Sequence, residues 1–266
     1  MEKVRELPVG VFDSGFGGIS VLREIVRLLP GEDIWFLGDC AHAPYGTKSA
    51  DQVRELTLHN AAYMYEKGIK ALVVACNTAT SAAIAALREQ YPQMPVIGIE
   101  PALKPAVGIG DHPHVLVMAT PATVAGDKFC SLLRGFEDQA EVSVLPCPGL
   151  MEYVERGELD SPGLHRYLKE LFLPFQDQTI DAVVLGCTHY PFVREAIACE
   201  LGQKARILDG SLGTARELAR RLAEADLLCG RSQGGRVQFE MTLPGREDLC
   251  RRLLYGRDLN SAEITG

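Results

Sequence analysis

Short apolar runs alternate along the chain with longer amphipathic stretches. The apolar runs predict eight strands, at residues 9–12, 34–38, 71–75, 96–99, 115–119, 142–145, 182–186 and 206–208. Amphipathic stretches between them predict helices, because apolar residues recur there at spacings of three and four. The stretch after the first strand is an example, and Pro30-Gly31 is expected to stop that helix. Strands alternating with helices in this way are typical of an α/β fold with mainly parallel sheets.

The chain also contains an internal similarity. Residues 69–78 align with residues 180–189 without a gap, at the offset of 111 residues that separates Cys76 from Cys187. Upstream, the strand at 9–12 corresponds to 115–118, and the strand that ends at Gly38 corresponds to 142–145. We therefore predict two similar α/β halves, related by a pseudo-twofold axis, with a site in the cleft between them.

Prolines at 101 and 105 interrupt regular structure and mark the predicted boundary between the halves. The second half should end near Asp209-Gly210, after which a helix at 214–228 and a further strand-and-helix pattern return to the first half. The predicted first domain is thus discontinuous, residues 1–100 plus 211–266, and the second is 101–210.

Composition narrows the class of protein. A chain of 266 residues with 47% hydrophobic and 23% charged residues can build a core, which excludes a disordered or collagen-like polymer. Its eight cysteines form no CxxC pair and no zinc-finger spacing, so we expect no metal site. A net charge of -8 without a polybasic block argues against a nucleic-acid partner. Without a secretory apolar run or a stretch of roughly 18 apolar residues, we expect a cytoplasmic protein with no membrane partner.

Candidate chemistry follows the strands, because ligands bind at the carboxyl ends of parallel strands. The first strand is followed by Asp13-Ser14 and a glycine-rich turn that fits neither GxGxxG nor the P-loop. Asp13 would repel a phosphate, whereas the Asp-Ser pair suits an ammonium group. The alternative is that either residue only caps a helix.

Cys76 and Cys187 end equivalent strands of the two halves. Each could be an ordinary buried core residue. Both precede predicted helix starts, however, where a thiol pKa is expected to fall. Two equivalent thiols facing one ligand would allow one to remove a proton from one face of a stereocentre while the other returns a proton to the opposite face, which is racemisation. His189 could orient or protonate Cys187, or be a structural histidine.

Two other features are less specific. The loop at 39–46 carries Pro44-Tyr45-Gly46, which reads as a turn with accessible backbone N–H groups or as an ordinary connection. The sequence contains no G-x-S-x-G elbow and no clear pyridoxal-lysine signal, so we expect no cofactor.

Four strings in order resemble one family. They are residues 11–18 (VFDSGFGG), 44–48 (PYGTK), 75–81 (ACNTATS) and 186–191 (GCTHYP). Together they closely resemble the glutamate racemases of the aspartate/glutamate racemase superfamily, over about residues 8 to 228. His189 stands where aspartate racemases typically carry Glu.

The resemblance implies cofactor-independent interconversion of L- and D-glutamate, supplying D-glutamate for peptidoglycan. It implies that Cys76 takes the proton from D-glutamate and Cys187 from L-glutamate, with Asp13 and His189 assisting. An accessory carboxylate is expected at Glu155, with Glu152 as the competing position. The residues implied to hold the amino acid are Asp13, Ser14, Tyr45, Gly46, Asn77, Thr78, Thr188 and His189.

Other interpretations stay open at this stage. The chain could be a racemase for aspartate or another amino acid, or a non-catalytic protein that binds glutamate and regulates a partner. The sequence also leaves open whether the protein forms a homodimer.

Overall fold

Residues 2–202 and 205–255 are described by the structure, a computed structural model. The strands among them are β1 (Val9–Asp13), β2 (Ile34–Gly38), β3 (Ala71–Val74), β4 (Val96–Gly98), β5 (His114–Ala119), β6 (Glu141–Pro146), β7 (Ala182–Leu185), β8 (Arg206–Asp209) and β9 (Val237–Met241). The α-helices there are α1 (Glu2–Arg5), α2 (Ile19–Leu28), α3 (Ala50–Lys67), α4 (Asn77–Gln90), α5 (Leu103–Val107), α6 (Pro121–Val124), α7 (Asp127–Arg134), α8 (Leu150–Glu155), α9 (Pro162–Phe172), α10 (Arg194–Leu201), α11 (Ser211–Glu224) and α12 (Glu247–Tyr255). All eight strands predicted from the apolar runs are present, each with bounds within one residue of the prediction.

The strands form two sheets in which every pairing is parallel. The first has the order β4-β3-β1-β2-β9 and the second β6-β5-β7-β8. If β5 to β8 are matched in turn to β1 to β4, the second sheet has the same order as the first without β9. The registers agree as well, since Val9 lies opposite Ala71 in one sheet and Val115 opposite Ala182 in the other. The predicted α/β class with two similar, mainly parallel sheets is confirmed.

The central strands are mainly apolar because helices cover both faces of each sheet. The exceptions are Asp13 at the end of β1 and His114 at the start of β5. Every residue of β1, β3, β5 and β7 is buried. Helix α2 follows the predicted spacing, and its Ile19, Leu22 and Ile25 are fully buried. Each such side chain contributes about 1.5–3 kcal/mol through removal from water. Helix α2 ends at Leu28, just before Pro30.

The C-terminal part of the chain returns to the first sheet, where β9 pairs with β2 and α11 and α12 pack on α2. The helix predicted at 214–228 is α11, which begins earlier because Asp209 Oδ1 accepts the backbone N–H of Ser211. It ends earlier because the chain turns at Asp226, whose φ is 56°. No helix in residues 2–202 and 205–255 combines the length and the apolar character needed to cross a membrane.

The chain passes between the sheets after β4 and again after β8. These two crossings touch, because a Cβ added to Gly210 would meet the backbone carbonyl of Glu100. The domain limits of 1–100 plus 211–266 and 101–210 stay a prediction, and residues 1, 203, 204 and 256–266 of that division lie outside the described residues. The neighbouring crossings nevertheless give the two sheets a common connecting point.

Candidate active site

The carboxyl ends of β1, β3 and β7 bring the predicted catalytic side chains together from both sheets. Asp13 is the last residue of β1, while Cys76 and Cys187 each lie two residues beyond the end of their strands. All are buried: the exposed fraction is 0% for Asp13, 6% for Cys76, 7% for Cys187 and 2% for His189. The site is therefore enclosed between the two halves of the molecule.

Asp13 is held by donors from both halves. The backbone N–H of Gly15 donates to Oδ1 at 2.9 Å, and Thr188 Oγ1 donates to Oδ2 at 3.1 Å. Burial raises the pKa of Asp13, although the charge of His189 and these hydrogen bonds act in the opposite direction. Asp13 is thus a buried carboxyl group shared between the two halves.

Cys76 is the N-cap residue of α4, and its Sγ accepts the N–H of Ala79 at 3.4 Å. The position of Cys76 before a helix predicts a lowered thiol pKa. This prediction is wrong for Cys76. Burial, followed by the charge of Asp13, raises the pKa of Cys76 to about 12 against the opposing hydrogen bonds from Ser14 and Ala79. The protonated thiol is therefore the favoured form of Cys76 in this structure.

Cys187 has different surroundings. A short 3-10 helix starts only at Tyr190 and α10 only at Arg194, so no α-helix N-terminus directly follows the thiol. His189 takes that place, with Nδ1 3.8 Å from Cys187 Sγ and Nε2 2.7 Å from Glu155 Oε1.

The charge of His189 follows from these contacts. Burial lowers the pKa of His189, but its hydrogen bonds to Cys187 and Glu155 outweigh burial and raise the pKa well above the ordinary value. His189 is therefore an imidazolium that lies between the Cys187 thiol group and the Glu155 carboxylate. Of the two candidate accessory carboxylates, Glu155 at the end of α8 is the one that reaches His189.

The glycine-rich turn after β1 is a close contact with the opposite half. A Cβ added to Gly17 would lie 2.6 Å from His189 Cε1 and 2.7 Å from Thr188 Oγ1. Ser20 Oγ, at the start of α2, donates to the carbonyl oxygen of Thr188 at 3.0 Å. The glycine at position 17 therefore allows the backbone of the first half to approach the loop of the second half that carries Thr188 and His189.

The loop after β2 also reaches the interface. Tyr45 is buried, and its hydroxyl donates to Asp39 Oδ2 at 2.7 Å. Burial and this hydrogen bond raise the pKa of Tyr45, so the phenol stays neutral. Gly46 packs on Thr120 of the other half, where an added Cβ would be 3.0 Å from Thr120 Cβ. Gly46 thus lies at the junction of the halves, and Tyr45 beside it is held by Asp39 of its own half.

Three threonine hydroxyls from both halves form a triangle. The Oγ1 of Thr78 lies 3.0 Å from that of Thr120 and 3.1 Å from that of Thr123, which are 2.9 Å apart. Thr120 and Thr123 are not among the binding residues predicted from the sequence. Thr120 could have been found, because it follows β5 as Ser14 follows the equivalent strand β1.

Asn77, the first residue of α4, directly precedes Thr78 of this triangle. Its side chain is buried, yet within the described part of the chain neither Nδ2 nor Oδ1 has a hydrogen-bond partner. A buried amide without partners is costly, and its donor and acceptor are available to a ligand.

Comparison with known proteins identifies the family of the chain. The Asp/Glu/Hydantoin racemase family model matches residues 9–218. The chain belongs to this family. A glutamate racemase of Clostridium perfringens is 43% identical over 95% of this chain and 98% of its own length. The predicted resemblance is confirmed, and the chain is a racemase, an isomerase as expected.

Solved glutamate racemases have the same fold. The Francisella tularensis enzyme in complex with D-glutamate gives a TM-score of 0.83 at 30% identity, over 96% of both chains. The Escherichia coli enzyme in complex with L-glutamate and the activator UDP-MurNAc-ala gives 0.82 at 30% identity, over 93% of this chain and 95% of the other. Relatives of this chain therefore include proteins crystallised with each enantiomer.

Proposed function

We propose that this protein is a cofactor-independent glutamate racemase that uses Cys76 and Cys187 as two bases on opposite faces of the substrate. The observation that carries the proposal is the equivalence of the two thiols. Each lies two residues beyond a matching strand, β3 or β7, of two sheets with the same strand order. Both are buried, and the charge of Cys187 adds to burial and to the charge of Asp13 in raising the pKa of Cys76, which supports a shared site.

The imidazolium of His189 beside Cys187 and the raised pKa of Cys76 favour the form of the enzyme that accepts L-glutamate. Cys187 as thiolate, supported by the His189 imidazolium, takes the α-proton of L-glutamate. The planar carbanion then accepts a proton from the Cys76 thiol on its other face, which yields D-glutamate. Cys187 ends as the thiol and Cys76 as the thiolate, and this second form of the enzyme accepts D-glutamate for the reverse reaction.

The remaining residues bind the amino acid. Asp13 offers a carboxylate to the substrate ammonium, which would offset the burial cost of that carboxylate. The free amide of Asn77 and the hydroxyls of the threonine triangle supply donors for the substrate carboxylates. Hydrogen bonds of this kind, fixed before the reaction, stabilise the charge that develops when the α-proton leaves. D-glutamate produced in this way would serve peptidoglycan synthesis.

Substrate access requires the two halves to separate, because the reacting side chains are almost fully buried. The adjoining crossings at Glu100 and Gly210 lie where such a hinge is needed. Closure around the substrate then excludes water, which strengthens each electrostatic interaction in the site.

The decisive experiment follows the circular dichroism of L-glutamate with purified protein and no added cofactor. We expect racemisation, with incorporation of solvent deuterium at the α-carbon in D₂O. Cys76→Ala and Cys187→Ala should each abolish it, whereas Cys130→Ala, at a partly buried cysteine in α7, should leave it intact. Full activity in either active-site variant would refute the two-base mechanism. Turnover of aspartate instead of glutamate would refute the substrate assignment. Sedimentation velocity on the same preparation tests whether the protein forms a homodimer, which the sequence leaves open.

A further inference from the structure

Three side chains with different metal-ligand atoms converge outside the proposed active site. They are His165 on α9 and Cys199 and Glu200 on α10. One ligand atom from each lies within 4.8 Å of the other two. Around a single Zn²⁺ the ligand distances are about 2.0–2.3 Å, so ligand atoms there lie about 3–4 Å apart. Small side-chain rotations would therefore bring all three onto one ion.

The histidine is already oriented for metal binding. Its Nδ1 lies 2.8 Å from Glu200 Oε1, and its Nε2 lies 2.8 Å from Asp160 Oδ1. Histidines that bind zinc commonly donate their other ring N–H to a carboxylate, which fixes the ring and its tautomer. Asp160 occupies that outer position, while Nδ1 faces Glu200.

We propose that His165, Cys199 and Glu200 form a binding site for a divalent transition metal of the zinc type, with Asp160 as the outer carboxylate. Thiolate, imidazole and carboxylate together favour Zn²⁺ over the hard cations Mg²⁺ and Ca²⁺. The ion takes the position between Nδ1 and Oε1, and its binding releases the thiol proton of Cys199. Three protein ligands leave the fourth tetrahedral position to water.

The site joins two neighbouring helices, α9 and α10, which pack on each other. A metal that binds only the folded arrangement stabilises it, so the midpoint of thermal unfolding should rise with metal concentration. The sequence predicted no metal site because its cysteines form no CxxC pair and no zinc-finger spacing, whereas this site is assembled from two separate helices.

The test uses Co²⁺ as a spectroscopic probe, added to protein that has been freed of metal with a chelator. The wild type should bind one equivalent and develop a thiolate-to-cobalt charge-transfer band that Zn²⁺ removes by competition. Cys199→Ser should lose the band. Asp160→Asn should keep it with an affinity about 10-fold or more weaker, the usual effect of removing an outer carboxylate.

The catalytic thiols could also bind cobalt, so Cys187→Ser is the matched control. Its band should equal that of the wild type. The proposal is overturned if the wild type develops no band, if the band persists in Cys199→Ser, or if Cys187→Ser loses it. Far-ultraviolet circular dichroism checks the fold of each variant, and Cys199 is exposed, so its replacement leaves the core intact.

Discussion

Gly17→Ala is the substitution that tests most directly how closely the halves must approach. The added methyl would lie 2.6 Å from His189 Cε1 and 2.7 Å from Thr188 Oγ1, against about 3.5–4.0 Å for an unstrained contact. Relief of this overlap needs a displacement of about 1 Å, either of the His189 ring or of the two halves. A displacement of that size at a catalytic group can cost about 100-fold in rate, so we expect kcat to fall by about that factor.

The assay is racemisation of each enantiomer followed by circular dichroism. Because the two enantiomers have equal free energy in solution, kcat/KM must fall by the same factor in both directions. Gly213→Ala is the matched control, since Gly213 lies within α11 and an added Cβ there meets nothing within 4 Å. It should retain full activity and gain about 0.5–1 kcal/mol of stability. A wild-type kcat in Gly17→Ala would refute the argument that the glycine-rich turn determines how closely the first half approaches His189.

Two further variants test the electrostatics. Glu155→Gln removes the carboxylate charge that helps to raise the pKa of His189, so the imidazolium, present below that pKa, is lost at lower pH. The alkaline decline of kcat/KM for L-glutamate should therefore begin at lower pH than in the wild type. An unchanged profile would contradict the role of Glu155 in keeping His189 protonated. Glu152→Gln is the control. Lys70 forms an almost fully buried ion pair with Glu32. Lys70→Met should lower the free energy of unfolding by about 3–5 kcal/mol in urea titrations because an unpaired charge is left behind, and Glu32→Leu added to it should restore much of the loss.

The strands were predictable because buried parallel strands are short, continuous apolar runs that need no distant information. The repeat was predictable for the same reason, since the residues around Cys76 and Cys187 keep the same local pattern. The limits of α11 were predicted less accurately. They depend on a side-chain hydrogen bond from Asp209 and on the left-handed turn at Asp226, neither of which periodicity reveals.

The site was predictable only where its residues adjoin strand ends. The contact between Glu155 and His189 depends on how α8 packs, and the two candidate glutamates could not be separated from spacing. The pKa of Cys76 was predicted in the wrong direction because a helix start is visible in a sequence, whereas complete burial beside Asp13 is not. Electrostatic properties of the site thus required the assembled structure.

Because the two sheets have a common strand order, the protein offers two similar scaffolds whose residues can differ around one site for mirror-image ligands. Two identical chains that met at a twofold axis would have to place the same groups around both thiols. Linked in one chain, the halves keep one scaffold but differ in detail, with Asp13 and Ser14 beside Cys76 and His189 beside Cys187. A protein made of L-amino acids cannot present mirror-image surfaces to two enantiomers. Under the proposed two-base mechanism, covalent linkage therefore lets each half adapt separately to one enantiomer.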